Sequence, residues 1–144
     1  MEALEISRSG LDVEWQRLQI IAENIANMNT TRTAEGGVYQ TRRLLSGPVE
    51  NFSLALSEAN GRSAVPPRGV TVYDVAVVNG ATRQTFDPAH PHADENGYVT
   101  LPAVSQAEEM SLMIKTTRSY EANLVAMAAA QQMYSSALQV GRQS

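Results

Sequence analysis

The sequence predicts a mainly α-helical chain with a small β-rich middle. A long assembly helix stands at each end, over residues 1–28 and 105–144, and a loop and strand segment, 29–104, lies between them. Three observations predict this. Apolar residues recur at seven-residue spacing near both ends. All six prolines and seven of the nine glycines fall between the two periodic stretches. The middle also carries β-branched runs separated by turn signals.

The first helix is expected from about Ala3 to Met28. Leu4, Leu11, Leu18 and Ile25 repeat every seven residues, and Trp15, Ile21 and Ala22 fill the three- and four-residue steps into one apolar stripe. Glu5, Asp12, Glu14, Gln16, Gln19 and Glu23 occupy the other side. Gly10 is a weak point, costing about 1 kcal/mol against alanine inside a helix. The run Asn24-Ile-Ala-Asn-Met-Asn-Thr-Thr ends the pattern, because asparagine and threonine compete for backbone hydrogen bonds. Asn24 and Asn27 are expected to bond backbone or a neighbouring helix there.

The second helix is expected from about Ala107 to Val140. Met110, Thr117, Leu124, Gln131 and Leu138 form one register, and Met113, Tyr120, Met127 and Tyr134 a second, three residues later. That is an a/d heptad pattern. Ser105 followed by Glu108 fits a capping box, and Gly141 fits a C-terminal stop. At about 1.5 Å per residue the helices reach roughly 40 and 50 Å. Seams this narrow on helices this long predict ordering against neighbouring chains, as a coiled coil within an assembly.

In the middle, Val70 to Val78 reads as a strand, Asn79-Gly80 as a hairpin turn, Ala81 to Phe86 as the return strand and Gly97 to Leu101 as a third. Residues 30–47 and 58–69 read as polar loops.

Composition excludes several classes of function. Lys and Arg total 11 against 15 Asp and Glu, a net charge of −4, so nothing favours displacement of phosphate counterions and no nucleic-acid partner is expected. The longest apolar run, Leu124 to Ala130, cannot span a bilayer, and direct membrane insertion is not expected. The chain has no cysteine, which removes disulfides, thiol nucleophiles and Cys-ligated metals. The acidic N-terminus does not resemble a Sec-type signal.

Chemistry-bearing residues concentrate in Asp87-Pro-Ala-His-Pro-His-Ala-Asp-Glu-Asn-Gly. His90 and His92 with a carboxylate could ligate zinc or iron. As an i, i+2 pair across Pro91, however, they project to opposite sides of an extended chain. The other reading is a structural turn formed by Asp87, Pro88, Asp94, Asn96, Gly97 and Tyr98. A calcium loop is not supported, since Ala103 stands where the bidentate glutamate belongs. Catalytic residues and cofactors are expected to be none.

These motifs occur in an order that resembles the bacterial flagellar axial rod and hook proteins, and within them the proximal rod proteins of the basal body. Ser9-Gly-Leu, Gln16-Arg-Leu and Glu23-Asn-Ile-Ala-Asn with Thr30 and Thr31 carry the N-terminal resemblance. Gly37-Val-Tyr39 follows, with valine where that family usually has proline. Gly69-Val-x-Val, the block from Phe86 to Pro102, Glu108-Glu-Met and Arg118-Ser-Tyr-Glu-Ala-Asn123 carry the rest. The resemblance covers residues 1–28 and 69–141 well and residues 40–68 poorly.

It implies a structural subunit of a torque-transmitting rod, with the terminal helices packed inside a tubular assembly and the middle facing outward. It also implies self-association, other rod proteins as partners, and delivery to the periplasmic rod by the flagellar type III export apparatus without a cleaved signal. The expected subunit-interface residues are Leu4, Leu11, Trp15, Leu18, Ile21, Asn24, Ile25 and Asn27 on the first helix. On the second they are Met110, Met113, Tyr120, Asn123, Leu124, Met127, Tyr134 and Leu138. Two other readings stand beside this one: a cytoplasmic coiled-coil adaptor or scaffold, and a small metalloenzyme built on His90 and His92.

Overall fold

Helical periodicity at the two ends becomes two long helices. In this computed structural model, which describes residues 2–49, 69–78 and 80–141, α1 spans Glu2–Ala26 and α2 spans Gln106–Gly141. Among the described residues four strands lie between them: β1 (Arg42–Pro48), β2 (Val70–Val77), β3 (Thr82–Phe86) and β4 (Tyr98–Pro102). The architecture is mainly α with a β-rich middle. α1 stops where Asn27 takes over, its Nδ2 donating to the Glu23 carbonyl at 2.9 Å and its Oδ1 accepting from Thr30 Oγ1 at 3.1 Å. α2 starts at Ser105, whose Oγ accepts from the Glu108 N–H at 3.4 Å and whose carbonyl accepts from the Glu109 N–H at 3.0 Å.

The strands pair differently from the expected meander. β1 pairs with β2, and β3 with β4, in two separate two-stranded sheets. The Asn79-Gly80 signal therefore does not join two partners, because β2 turns to β1 and β3 to β4; Asn79 itself lies outside the described residues. β1 occupies a stretch expected to be loop. Its sequence, Arg-Arg-Leu-Leu-Ser-Gly-Pro, has too few β-branched residues to announce a strand, and pairing with the valine-rich β2 overrides that propensity. The loop expected over 58–69 lies outside the described residues except for Gly69.

The chain forms two compact units. The first combines residues 1–15, 45–74 and 117–144. Val13 is its buried apolar anchor. Gly10 is buried under the Asn123 side chain, so close that a Cβ there would stand 2.9 Å from Asn123 Nδ2. The glycine that looks like a helix defect is thus a notch for the other helix. Ser9 Oγ accepts from the Val70 N–H at 3.0 Å and donates to the Ile6 carbonyl at 2.8 Å. Gly69, with φ of +109°, brings its backbone against that hydroxyl, where a Cβ would overlap the Ser9 oxygen.

The second unit combines residues 16–44 and 75–116. Ile21, Leu44 and Val99 form its apolar core, with Asn24, Glu109 and Thr116 buried beside them. β3 and β4 run antiparallel with Phe86 opposite Tyr98 and Thr82 opposite Pro102. The two aromatic rings meet edge to face at 5.3 Å.

Candidate functional site

The most elaborate side-chain arrangement is a polar clasp inside the second unit. Asn24, in the last turns of α1, is 0 % exposed. Its Nδ2 donates to the Arg42 carbonyl at 2.9 Å and to Glu109 Oε2 at 3.2 Å. Its Oδ1 accepts from the Arg42 N–H at 3.0 Å and from the Tyr39 hydroxyl at 2.9 Å. Two donors and two acceptor positions are all that an amide side chain offers, so Asn24 is fully used.

Glu109, near the start of α2, is 1 % exposed and receives Arg43 Nη2 at 2.5 Å on its other oxygen. Arg43 also reaches Glu108 at 3.7 Å, while Arg42 pairs with Glu23 at 2.5 Å. Hydrogen bonding to Tyr39, and then the nearby Tyr39 and Glu23 groups, raise the Arg42 pKa above its ordinary value, so its guanidinium stays charged. A buried carboxylate is tolerable only when paired and hydrogen-bonded, and Glu109 has both kinds of partner.

The expected interface residues divide into three groups. Ile21 and Asn24 face the interior of their own unit and are buried in the single chain. Leu4, Leu11, Leu18 and Ile25 on α1, and Asn27 in the turn after it, are half-buried, as are Met113, Tyr120, Asn123 and Met127 on α2. Trp15, Met110, Leu124, Tyr134 and Leu138 are exposed, Trp15 by 56 %.

The reason for this division is angular. The buried positions of α1, Gly10, Val13, Ile21 and Asn24, lie roughly 110° round the helix from the Leu4–Ile25 stripe, at 3.6 residues per turn. Apolar periodicity picked out the leucine stripe, whereas the chain turns a face containing glycine and asparagine inward. Exposed Ile114, Val125 and Val140, which were not singled out from the sequence, join Met133 on the apolar surface of α2.

The 87–98 segment forms a turn. Asp94 Oδ1 accepts from the Asn96 and Tyr98 N–H groups at 2.9 and 2.8 Å, Asp87 Oδ1 accepts from the Ala89 N–H, and Gly97 adopts a φ of +81°. Contrary to the expectation of divergent imidazoles, the turn folds His90 and His92 onto one side, with ring centroids 5.5 Å apart. His90 Nδ1 accepts from the His92 N–H at 3.0 Å, and His92 Nδ1 bonds Thr31 Oγ1 at 2.8 Å. Each ring thus has one nitrogen engaged by the chain, and no group of three metal-ligating side chains occurs among the described residues.

Comparison with known proteins places both helices in one context. Residues 4–32 match the family model described as flagella basal body rod protein, and residues 95–140 match the C-terminal model of the flagellar basal body rod FlgEFG proteins. Over nearly its whole length, the chain is 33 % identical to the flagellar basal-body rod protein FlgC of Bacillus subtilis, covering 97 % of each chain. It is 32 % identical to FlgC of Borreliella burgdorferi, covering 96 % of this chain and 95 % of that one. The chain belongs to the FlgC family of flagellar basal-body rod proteins. FlgC of Escherichia coli O6:H1 is 28 % identical over 99 % of this chain.

As an FlgC family member the chain is a structural subunit of the flagellar basal-body rod. The two matched ranges contain α1 with the turn after it, and β4 with α2. Asn24 lies in the first and Glu109 in the second. Tyr39, Arg42 and Arg43 lie in neither; Tyr39 stood out only as part of Gly37-Val-Tyr39, and the two arginines went unnoticed in the sequence. The signal that could have exposed the clasp is Glu109 itself, an acid on the same helical face as Met113, Thr116 and Tyr120.

Proposed function

We propose that this chain polymerises through its terminal helices into the proximal rod, the drive shaft that carries torque outward from the rotor. The observation that carries the reading is the uncovered apolar surface of α2, where Leu124, Val125, Met133, Tyr134, Leu138 and Val140 are all exposed in the single chain. Apolar surface on that scale calls for partners. Two such helices suit heterologous contacts that repeat into a helical tube rather than closing into a dimer.

On this reading residues 1–28 and 105–144 are the assembly segments and 29–104 the outward middle. Leu4, Leu11, Trp15, Leu18 and Ile25 on α1, with Met110, Leu124, Tyr134 and Leu138 on α2, meet copies of this chain and other rod proteins. Met113, Tyr120, Asn123 and Met127 join α2 to its own chain as well as to neighbours. The chain reaches the periplasmic rod through the flagellar type III export apparatus. It performs no catalysis, and stiffness comes from packing of many identical helices.

The test is detection of the chain in detergent-extracted hook–basal bodies against cytosol of the same cells. Enrichment with the basal bodies is expected. A chain found solely in cytosol, as a defined small oligomer, would instead establish a coiled-coil adaptor. Leu18→Asp or Leu124→Asp should abolish rod assembly and swimming at normal expression, and motile cells carrying either would refute the reading.

A further inference from the structure

Glycine at position 97 meets two structural demands at once. Its φ of +81° lies in the left-handed region, and a Cβ there would stand 3.0 Å from Phe86 Cε2 and 3.1 Å from Pro88 Cβ. The residue before it is Asn96, and that order brings a chemical liability. In an Asn-Gly pair the glycine nitrogen can attack the asparagine side-chain carbonyl carbon, because no Cβ on the following residue obstructs its approach. The new C–N bond closes a succinimide, and the side-chain nitrogen departs as ammonia, taking the proton from the glycine nitrogen. Water then opens the ring at either carbonyl, giving an aspartate or an iso-aspartate whose main chain runs through the former side-chain carbon.

The turn at 87–98 opposes each stage of ring closure. Asn96 is exposed while Gly97 is buried, so the electrophile is wet and the nucleophile is not. The Gly97 N–H donates to the Asp94 carbonyl at 3.0 Å, which engages the proton that must leave before the nitrogen attacks. Asp94 Oδ1 accepts from the Asn96 and Tyr98 N–H groups at 2.9 and 2.8 Å, and the Asp94 N–H donates to the Tyr98 carbonyl at 2.8 Å. Three consecutive N–H groups are thus held by one residue. The torsions beside Asn96 cannot carry the Gly97 nitrogen onto Asn96 Cγ without breaking at least one of these bonds.

We infer that Asn96 is a latent deamidation site and that Asp94 is its guard. The reaction is open to the unfolded chain and suppressed in the folded one for as long as the turn stays shut. In the folded chain it proceeds through local opening, at a rate scaled by the open fraction. Refolding does not reverse it. An iso-aspartyl link adds one main-chain carbon between residues 96 and 97, where the Gly97 carbonyl accepts from the Asp87 N–H at 2.9 Å and Tyr98 pairs with Phe86. A transient opening is thereby written into the covalent chain at the closed end of the β3–β4 hairpin.

The sequence carries two more Asn-Gly pairs, Asn60-Gly61 and Asn79-Gly80, which serve as internal references in the denatured chain. The full chain is held in mildly alkaline buffer with and without urea. Conversion at each asparagine is followed by peptide mass mapping and by enzymatic methylation of iso-aspartate. In urea Asn96 should keep pace with Asn60 and Asn79, and without urea it should react about tenfold more slowly or slower still. Equal rates at Asn96 in the two conditions would overturn the guard. A denatured Asn96 that lags the other two would overturn the site itself.

Asp94→Ala removes the acceptor for Asn96 and Tyr98 and should speed native conversion at Asn96 about tenfold. Asp94→Asn keeps an oxygen there and should stay near the parent. A parental rate in Asp94→Ala, with the β3–β4 pairing intact by NMR, would overturn the role of Asp94. If Asp94→Ala loses the hairpin, hydrogen exchange at the Gly97 amide of the unsubstituted chain decides. Both reactions share the opening step, so protection of that amide and protection of Asn96 should match in size. A well-protected Gly97 amide beside a freely reacting Asn96 would overturn the proposal.

Discussion

Asn24 donates a hydrogen bond to Glu109 across 85 residues of sequence, and both side chains are shut away from solvent. The bond ties the end of α1 to the beginning of α2 within one unit. It is made by an amide and a carboxylate rather than by the apolar side chains of the two helices.

Asn24→Asp places two carboxylates 3.2 Å apart and removes the donor. The expected loss at neutral pH is about 3–5 kcal/mol, the usual effect of leaving a buried charge unmatched, measured by urea unfolding. The variant pair takes up a proton on folding, so its folded pKa rises above the unfolded value. Stability is then regained as pH falls towards the carboxylate range and lost again as pH rises. Adding Glu109→Gln should restore, without acid, the part of the loss that comes from the two like charges.

Gly10→Ala should destabilise the chain by about 1–2 kcal/mol, although alanine is the better helix former, because its Cβ collides with the Asn123 amide. Thermal unfolding checks this. Asn123→Ala in the Gly10→Ala background should recover the loss, whereas additive losses would show that the notch is not the cause.

Gly69→Ala meets both a left-handed backbone, φ +109°, and the Ser9 hydroxyl, and should cost about 2–3 kcal/mol. Ser9→Ala removes the acceptor for the Val70 N–H and should cost about 1 kcal/mol. Hydrogen exchange at the Val70 amide is the readout. It should quicken in both variants, and faster exchange limited to Gly69→Ala would deny the hydroxyl its role.

Asp94→Ala strips the Asn96 and Tyr98 N–H groups of a shared acceptor. A loss of about 1–2 kcal/mol is expected, together with weaker ring-current shifts between Phe86 and Tyr98. Asp94→Asn keeps an oxygen in place and should retain most of the turn.

Element type was legible in the sequence wherever one local period dominated. Leu4 to Ile25 and Met110 to Leu138 are long enough runs for the helices to follow from spacing, and Val70 to Val77 is β-branched enough for a strand. Pairing was not legible. β1 contains Ser46, Gly47 and Pro48, and becomes a strand because β2 supplies its hydrogen bonds, a long-range fact absent from any local window. The inner face of α1 escaped notice for a related reason. Gly10 and Asn24 count against burial on any apolar scale, yet they are buried because Asn123 fills the space over one and four hydrogen bonds satisfy the other.

The turn at 87–98 was legible through Asp94 and Gly97, whose chemistry acts within a few residues. The clasp was not, because Arg42, Arg43 and Glu109 acquire meaning only when β1 and α2 meet.

Arg42 and Arg43 are consecutive residues at the head of a strand, and consecutive side chains on a strand point to opposite sides. One grips Glu23 on α1 and the other Glu109 on α2. The strand therefore leaves the helices as a yoke with two harness points. A pull along β1 is shared between both shafts at their nearest ends, and neither helix is loaded alone.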